Sequence, residues 1–373
     1  MTTGPAAAPP HVPDVELDDL RRRLAAYRRA PVPPGHGWDR GTDADFLAEL
    51  ITYWRDDYDW RLHEARLRDL PWVLTEEAAV PVRAVHQRSG RPDAPTVVLL
   101  HGWPDSVLRF ERVLPLLAGA DGGDGVDVVV PALPGYPFAA PFDRRGLSAP
   151  DIATAVAAAL EELGVERYVL SAGDVGANVA KALVEQHPER VAALHLTDVP
   201  QQHFLVDPPT DLTPEEEAFV DRGRSWQAVE GAYGHEQSTK PHTLAVGLGD
   251  SPAGLAAWVV EKLRSWTDCG GNVGSMFSRD ELLTWVMAYW TTGVIGTSFT
   301  PYAERFTSGR AGRLATPTAF TLFPHDLVNA PRSWAERFYD VRSWREHDAG
   351  GHFAAWERPE DHVAGVRAAL ELV

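Results

Sequence analysis

The stretch Val169-Leu170-Ser171-Ala172-Gly173-Asp174-Val175-Gly176-Ala177-Asn178 constrains the fold more than any other part of the chain. Arg167 to Leu170 reads as a short, mostly apolar strand, and Ala177 to His187 carries Val179, Ala180, Leu183 and Val184 at helical spacing. Between them, Ala172 and Gly176 stand two residues to either side of Asp174. A strand that turns at once into a helix needs small flanks, because the turn is strained and the backbones pack closely. The acid at the tip has two readings. It can cap the helix N-terminus, which favours anions. Projecting from a nucleophile elbow, it can instead attack an electrophilic carbon and form an alkyl ester.

The surrounding pattern predicts an α/β fold. Val82 to Gln87, Thr96 to Leu100, Val126 to Val130, Ala193 to Leu196, Thr318 to Phe323 and Val341 to Glu346 read as strands, with helices at Ala149 to Leu163 and Pro359 to Leu372. Thr96 to Leu100 is a continuous apolar run, as a strand buried on both faces requires. Strand–helix alternation of this kind implies a mostly parallel, eight-stranded sheet with right-handed crossovers. Five segments follow: a disordered Ala/Pro-rich tail over 1–13, a helical meander over 14–72 too thinly apolar to fold alone, core over 73–200, a helical block over 201–310, and core again over 311–373. A helical block between two strands of one sheet reads as a lid over the strands' carboxyl ends, where open α/β sheets bind ligands.

Composition removes several classes of function. A net charge of −18 argues against nucleic acid or an anionic membrane as partner. One cysteine, Cys269, forbids an intrachain disulfide and fits a reducing compartment. No run of 18 apolar residues is present, and the first residues lack a signal-peptide pattern, so a cytoplasmic location is expected. Thirteen tryptophans suggest an aromatic-lined pocket or extensive aromatic packing.

Three further motifs fall at strand ends on the same predicted edge as Asp174. In His101-Gly102-Trp103-Pro104, glycine and proline fix a turn that can aim the Trp103 N–H into the site, making a two-donor oxyanion hole with the N–H of Val175. Phe323-Pro324-His325-Asp326 offers an acid, and Gly350-Gly351-His352-Phe353 offers an imidazole. Each alone has a plain reading: a β-turn, an acid in a loop, a histidine satisfied by backbone. Together they give nucleophile, acid and histidine in the chain order of the hydrolases whose nucleophile sits on an elbow. Asp340 and Asp348 are rival acids, and His325 and His347 rival histidines. No Cys/His cluster has metal-ligand spacing, so neither metal nor organic cofactor is called for.

From about Asp14 to the C-terminus the chain resembles the microsomal-type epoxide hydrolases of the α/β-hydrolase superfamily. The likeness rests on the meander (Gly37-Trp38-Asp39 through Tyr53-Trp54 to Trp60), on His101-Gly-Trp-Pro104, on the acid elbow and on Gly350-Gly-His-Phe-Ala-Ala355. In the lid it rests on Asp250-Ser-Pro-Ala-Gly-Leu-Ala-Ala257, Glu261-Lys262 and Tyr289-Trp-Thr-Thr-Gly293. The resemblance implies an α/β-hydrolase fold with lid and N-terminal meander, and hydrolysis of a small-molecule epoxide to a vicinal diol. It assigns the nucleophile to Asp174, the base to His352, its acid partner to Asp326, and activation of the epoxide oxygen to Tyr233 in Gly231-Ala-Tyr-Gly-His235 and Tyr302 in Thr300-Pro-Tyr-Ala-Glu304. An apolar pocket touched by Trp103, Val175 and Trp226 is expected, suited to hydrophobic or polycyclic epoxides. The arginine-heavy composition and missing anchor suggest a soluble bacterial, actinobacterial-type member, with natural-product tailoring as the role and a homodimer as the oligomer. Three residues depart from the family pattern: Val175 where tryptophan is common, Asp105 after the Pro104 turn, and Asp326 where glutamate is frequent. Two other functions fit the same scaffold. One is a haloalkane dehalogenase, which needs halide donors that Val175 does not supply; the other is a silenced hydrolase that only binds ligand.

Overall fold

The computed structural model describes residues 1–119, 124–143, 146–205, 208–304 and 312–373, with the side chain of Gln202 excepted. Its centre is a nine-stranded sheet in the order β1-β2-β3-β5-β4-β6-β7-β8-β9. The strands are β1 (Thr2–Thr3), β2 (Trp72–Thr75), β3 (Val82–Gln87), β4 (Thr96–Leu100), β5 (Asp127–Pro131), β6 (Tyr168–Ala172), β7 (Val191–Leu196), β8 (Pro317–Leu322) and β9 (Asp340–Glu346). β1, β2, β3 and β5 pair antiparallel, and every pairing from β5 through β4 to β9 is parallel. The parallel strands β4, β5 and β6 are buried almost throughout, which explains their unbroken apolar runs.

The ninth strand comes from the segment expected to be a disordered tail. Thr2 and Thr3 pair with Leu74 and Val73 on the sheet edge, and Ala7 is fully buried. The Ala7 carbonyl accepts from the Arg83 Nε at 2.8 Å, and the Val12 N–H donates to Glu64 at 2.6 Å. Two threonines carry no strand signal by themselves; the free edge of β2 supplies it.

The meander helices Asp14–Ala25, Ala44–Asp56 and Trp60–Arg68 bury Leu17, Leu20, Leu24, Leu50, Ile51 and Trp54. They hold the lid as well as the core. The Tyr53 hydroxyl donates to Asp280 at 2.8 Å, and Tyr58 and Thr284 hydroxyls lie 3.1 Å apart, tying the meander to the lid helix Arg279–Thr292. Between β7 and β8 the helices Pro214–Glu230, Ala232–Thr239, Pro241–Asp250, Pro252–Ser265 and Arg279–Thr292 follow one another in the lid segment. Several begin at capping boxes, Thr213 with Glu216 and Ser278 with Glu281, which satisfy the first free N–H groups. The expected lid–core junction at Arg310 lies outside the described residues. Among the described residues no single helix is long and apolar enough to cross a membrane. One pair, Pro241–Asp250 and Pro252–Ser265, passes together by length and composition, but it bends through 114°.

Candidate active site

The carboxyl ends of β4, β6, β7, β8 and β9 converge beneath the lid. After β6 the chain turns at Asp174 with φ 54° and ψ −131°, a left-handed conformation that is strained for a residue with a Cβ, and enters the helix Val175–Gln186. Two glycines make room for this turn. A Cβ on Gly176 would come within 2.5 Å of the Leu100 carbonyl, and one on Gly102 within 2.4 Å of Asp174 Oδ1. The elbow reading of the sequence is therefore also the local geometry. No side-chain cap bond joins Asp174 to its helix, so its carboxylate projects outward.

Trp103 N–H donates to Asp174 Oδ1 at 2.8 Å. The Val175 N–H is the first of its helix, a donor the helix itself leaves without an acceptor. The other carboxylate oxygen, Oδ2, lies 3.7 Å from His352 Nε2, and that nitrogen is buried without a hydrogen-bond partner. On the far side of the ring, His352 Nδ1 and Asp326 Oδ1 are 2.7 Å apart. The rivals lie elsewhere. His325 pairs at the surface with Asp268 at 3.4 Å, His347 stacks on Phe323, Asp340 pairs with Arg313 and Arg342, and Asp348 is exposed.

Burial opposes the charged forms of this set, but the charges support one another. For Asp326, burial is outweighed by the charge and hydrogen bond of His352 and the Leu327 N–H, which hold its carboxyl below the usual range. For His352, burial is outweighed by Asp326 and then Asp174, which raise the imidazole above its ordinary 6.5.

Above Asp174 the lid supplies two phenols. Tyr233 and Tyr302 both face the cavity, with ring centroids 6.1 Å apart and planes at 73°. Burial first, then the nearby Tyr233 and the Asp174 charge, push the Tyr302 hydroxyl well above its ordinary value, so it stays a neutral donor. Asp174, His352, Asp326, Val175 and both tyrosines line one cavity of about 300 Å³.

Two expected pocket residues are placed differently. Trp103 is fully buried, and its indole stacks on Tyr233 at 5.3 Å and 11°, behind the cavity wall. Trp226 packs half-buried against the core, and the wall residue is its neighbour Gln227. One step along a helix turns a side chain by about 100°, so an offset of one residue moves it off the wall. The wall is also more polar than expected. Asn178, Lys181 and Glu185 continue down the elbow helix from Asp174, and the Gln227 amide donates to Gln201 at 2.6 Å across the opposite side.

Several supporting residues carried no clear sequence signal. Asp105 is a buried ion-pair partner of Arg109, Oδ2 to Nη1 at 2.7 Å, with the two side chains 0% and 3% exposed. Arg109 Nη2 in turn donates to the His352 carbonyl. Glu357 accepts from the N–H groups of Asp268, Gly351 and Phe353, each at 2.9 Å, and so fixes the loop that carries His352. Asp198, at the end of β7, lines the cavity and accepts the Asp174 N–H at 3.0 Å. Burial first, then the charges of Asp326 and Asp174, push its carboxyl up to about 7. In the sequence its one signal is an acid just past the strand Ala193 to Leu196.

The chain is similar to known proteins over its whole length. Residues 6–110 match the family described as the epoxide hydrolase N terminus, and residues 95–228 match the alpha/beta hydrolase fold. A relative from Stigmatella aurantiaca is 37% identical over 355 residues, covering 93% of this chain and 80% of its own. Epoxide hydrolase 1 of Sus scrofa is 30% identical over 401 residues, covering 96% of this chain and 87% of its own. An enantioselective mutant of the Aspergillus niger epoxide hydrolase superposes with a TM-score of 0.88 at 29% identity, over 100% of this chain and 97% of that one. The juvenile hormone epoxide hydrolase of Bombyx mori gives 0.87 at 28% identity, over 97% and 93%. Full-length likeness of this kind, added to an acid elbow beneath paired lid phenols, makes the chain a member of the epoxide hydrolase family with the α/β-hydrolase fold.

Proposed function

We propose that Asp174, His352, Asp326, Tyr233 and Tyr302 carry out epoxide hydrolysis in two covalent half-reactions. Asp174 Oδ2, the oxygen not held by Trp103, attacks an oxirane carbon. The C–O bond breaks toward the epoxide oxygen, which receives a proton or hydrogen bond from the two phenols. A β-hydroxyalkyl ester of Asp174 results. His352 Nε2 then takes a proton from a water that adds to the Asp174 carbonyl carbon. The charge that develops on Oδ1 is met by the N–H groups of Trp103 and Val175. Collapse releases the diol with the original Oδ2 atom, protonated by the imidazolium, and leaves the water oxygen on Asp174. Asp326 holds the imidazole in the tautomer and orientation this needs.

The observation that carries this reading is the division of labour on one carboxylate. Oδ1 is held by a backbone donor at 2.8 Å, and Oδ2 is left 3.7 Å from a partnerless imidazole nitrogen. A substrate apolar around the ring, up to the size of a polycycle, fits beside Val175. The Asn178, Lys181 and Glu185 stripe favours hydrogen-bonding groups at its far end, as a functionalised natural-product intermediate carries. Single turnover in heavy-oxygen water tests the route. The first diol is expected unlabelled, with the label on the Asp174 peptide; label in that first diol would mean direct attack by water and defeat it.

A further inference from the structure

The lid pair Glu261-Lys262 stands out in the sequence, and the mechanism above does not use it. Lys262 lies on the helix Pro252–Ser265 and is 7% exposed, an uncommon depth for an ammonium. Its Nζ stands 4.9 Å from the centroid of the Tyr233 ring, 5.8 Å from that of Trp266 and 6.0 Å from that of Trp258. Trp103 lies near-parallel to the same ring, with centroids 5.3 Å apart, so Tyr233 is packed by an indole as well as by the ammonium. Glu261 Oε2 pairs with Nζ at 2.5 Å. The other Glu261 oxygen accepts from the exposed Ser265 hydroxyl at 3.0 Å, so the positive end of the pair is the end against the rings. Among the described residues no cation is recorded over Tyr302. The two phenols of the site are therefore electrostatically unequal.

Building on the mechanism proposed for this site, we propose that Lys262 is a positioning residue for ring opening. Its ammonium makes Tyr233 the stronger acid of the two and the one that gives its proton to the opening oxirane. A cation over a π face attracts electron density and stabilises negative charge on the phenol oxygen, more so where water is excluded. As the C–O bond breaks, the bonding pair moves to the epoxide oxygen, and the Tyr233 proton follows it. The tyrosinate left behind faces the lysine. The second half-reaction regenerates Asp174 as a carboxylic acid, and the proton that acid releases returns to Tyr233. Tyr302, with no such cation, anchors the oxygen as a neutral donor. The substrate's ring opening is thus tuned from outside the cavity, by a residue that never touches it.

Rapid-quench kinetics with styrene oxide as the probe separates the two half-reactions. Lys262→Met is expected to slow ester formation about tenfold, the size of a desolvated cation–π contact, and to leave ester hydrolysis unchanged. Lys262→Arg, which restores a cation, is expected to recover most of the rate. In a Tyr233→Phe background Lys262→Met should add nothing, because the group it acts through is gone; in a Tyr302→Phe background the tenfold loss should persist. The same tenfold loss in both backgrounds, or no recovery with arginine, would overturn the proposal. Should methionine disturb folding at this depth, Lys262→Gln keeps a polar tip for Glu261 and is read by the same cycle. If the wild-type chain forms no Asp174 ester with an oxirane at all, it is the two-step mechanism that fails. Ester formation that is indifferent to Lys262 removes this inference alone.

Discussion

At the strand ends, the cavity groups are held by backbone and by charge; in the lid, they are held by stacked rings. Asp174 sits on a left-handed turn whose N–H is taken by Asp198 and whose Oδ1 is taken by Trp103. The His352 loop hangs from Glu357 and Arg109. Tyr233, in contrast, is packed by the Trp103 indole and the Lys262 ammonium, with Trp266 tilted against it at 5.1 Å. The difference matches the chemistry proposed for each side. In the proposed mechanism the strand ends hold a nucleophile and a base in one orientation through two steps, which directional hydrogen bonds do well. In the same mechanism the lid presents phenol donors away from bulk water, which ring packing allows.

Substitutions can break that contrast, and the largest effects belong at the strand ends. Asp174→Asn removes the attacking oxygen and is expected to lower single-turnover ester formation by roughly 10⁴-fold or more in rapid-quench assays. His352→Gln keeps the nucleophile but not the base. Ester hydrolysis should fall about 10³-fold, and the adduct should accumulate on the Asp174 peptide in a mass spectrum. Lid changes are expected to be smaller and confined to the first step: Tyr302→Phe should slow ester formation by about 10- to 100-fold without trapping the ester. Equal losses in both half-reactions would mean that the lid orients the whole site.

Two further measurements sharpen the same contrast. Glu357→Ala leaves three backbone N–H groups without their acceptor. It should cost on the order of 3 kcal/mol in denaturant unfolding and slow ester hydrolysis more than ester formation. The smallest effect concerns pH. Because His352 is raised above 6.5 and must be neutral to act as base, ester hydrolysis should rise with pH and level off only above that value. Asp198 has a folded value near 7 against an ordinary 3.8, so it favours the folded state fully below 3.8 and loses that contribution as pH rises through 7. Asp198→Asn keeps an acceptor for the Asp174 N–H but cannot ionise. Its melting temperature should gain on the wild type between pH 5 and pH 8; a constant difference would show that Asp198 does not titrate there.

Much of this was legible in residue order, because strand, turn and helix signals are local. Small residues around Asp174, an apolar run before Trp103 and glycines before His352 each report the backbone they need, and backbone direction at a strand end dictates where a side chain points. The second sheet edge was not legible: Thr2 and Thr3 become a strand only because β2 offers an unpaired edge. Nor was the wall of the cavity. Trp226 and Gln227 differ by one step of a helix, and only packing against the core chooses which one faces inward.

Residue order alone placed the strand-end groups: an acid on an elbow, an acid after a later strand, a histidine after the last, in an order the sheet carries to one edge. The tertiary structure decided what surrounds them. Asp198 beside Asp174, the Asp105–Arg109 pair behind His352 and Lys262 over Tyr233 join elements far apart in the chain or turn on burial. Electrostatic coupling depends on distance and on exclusion of water, and neither is written in the spacing of residues along a chain.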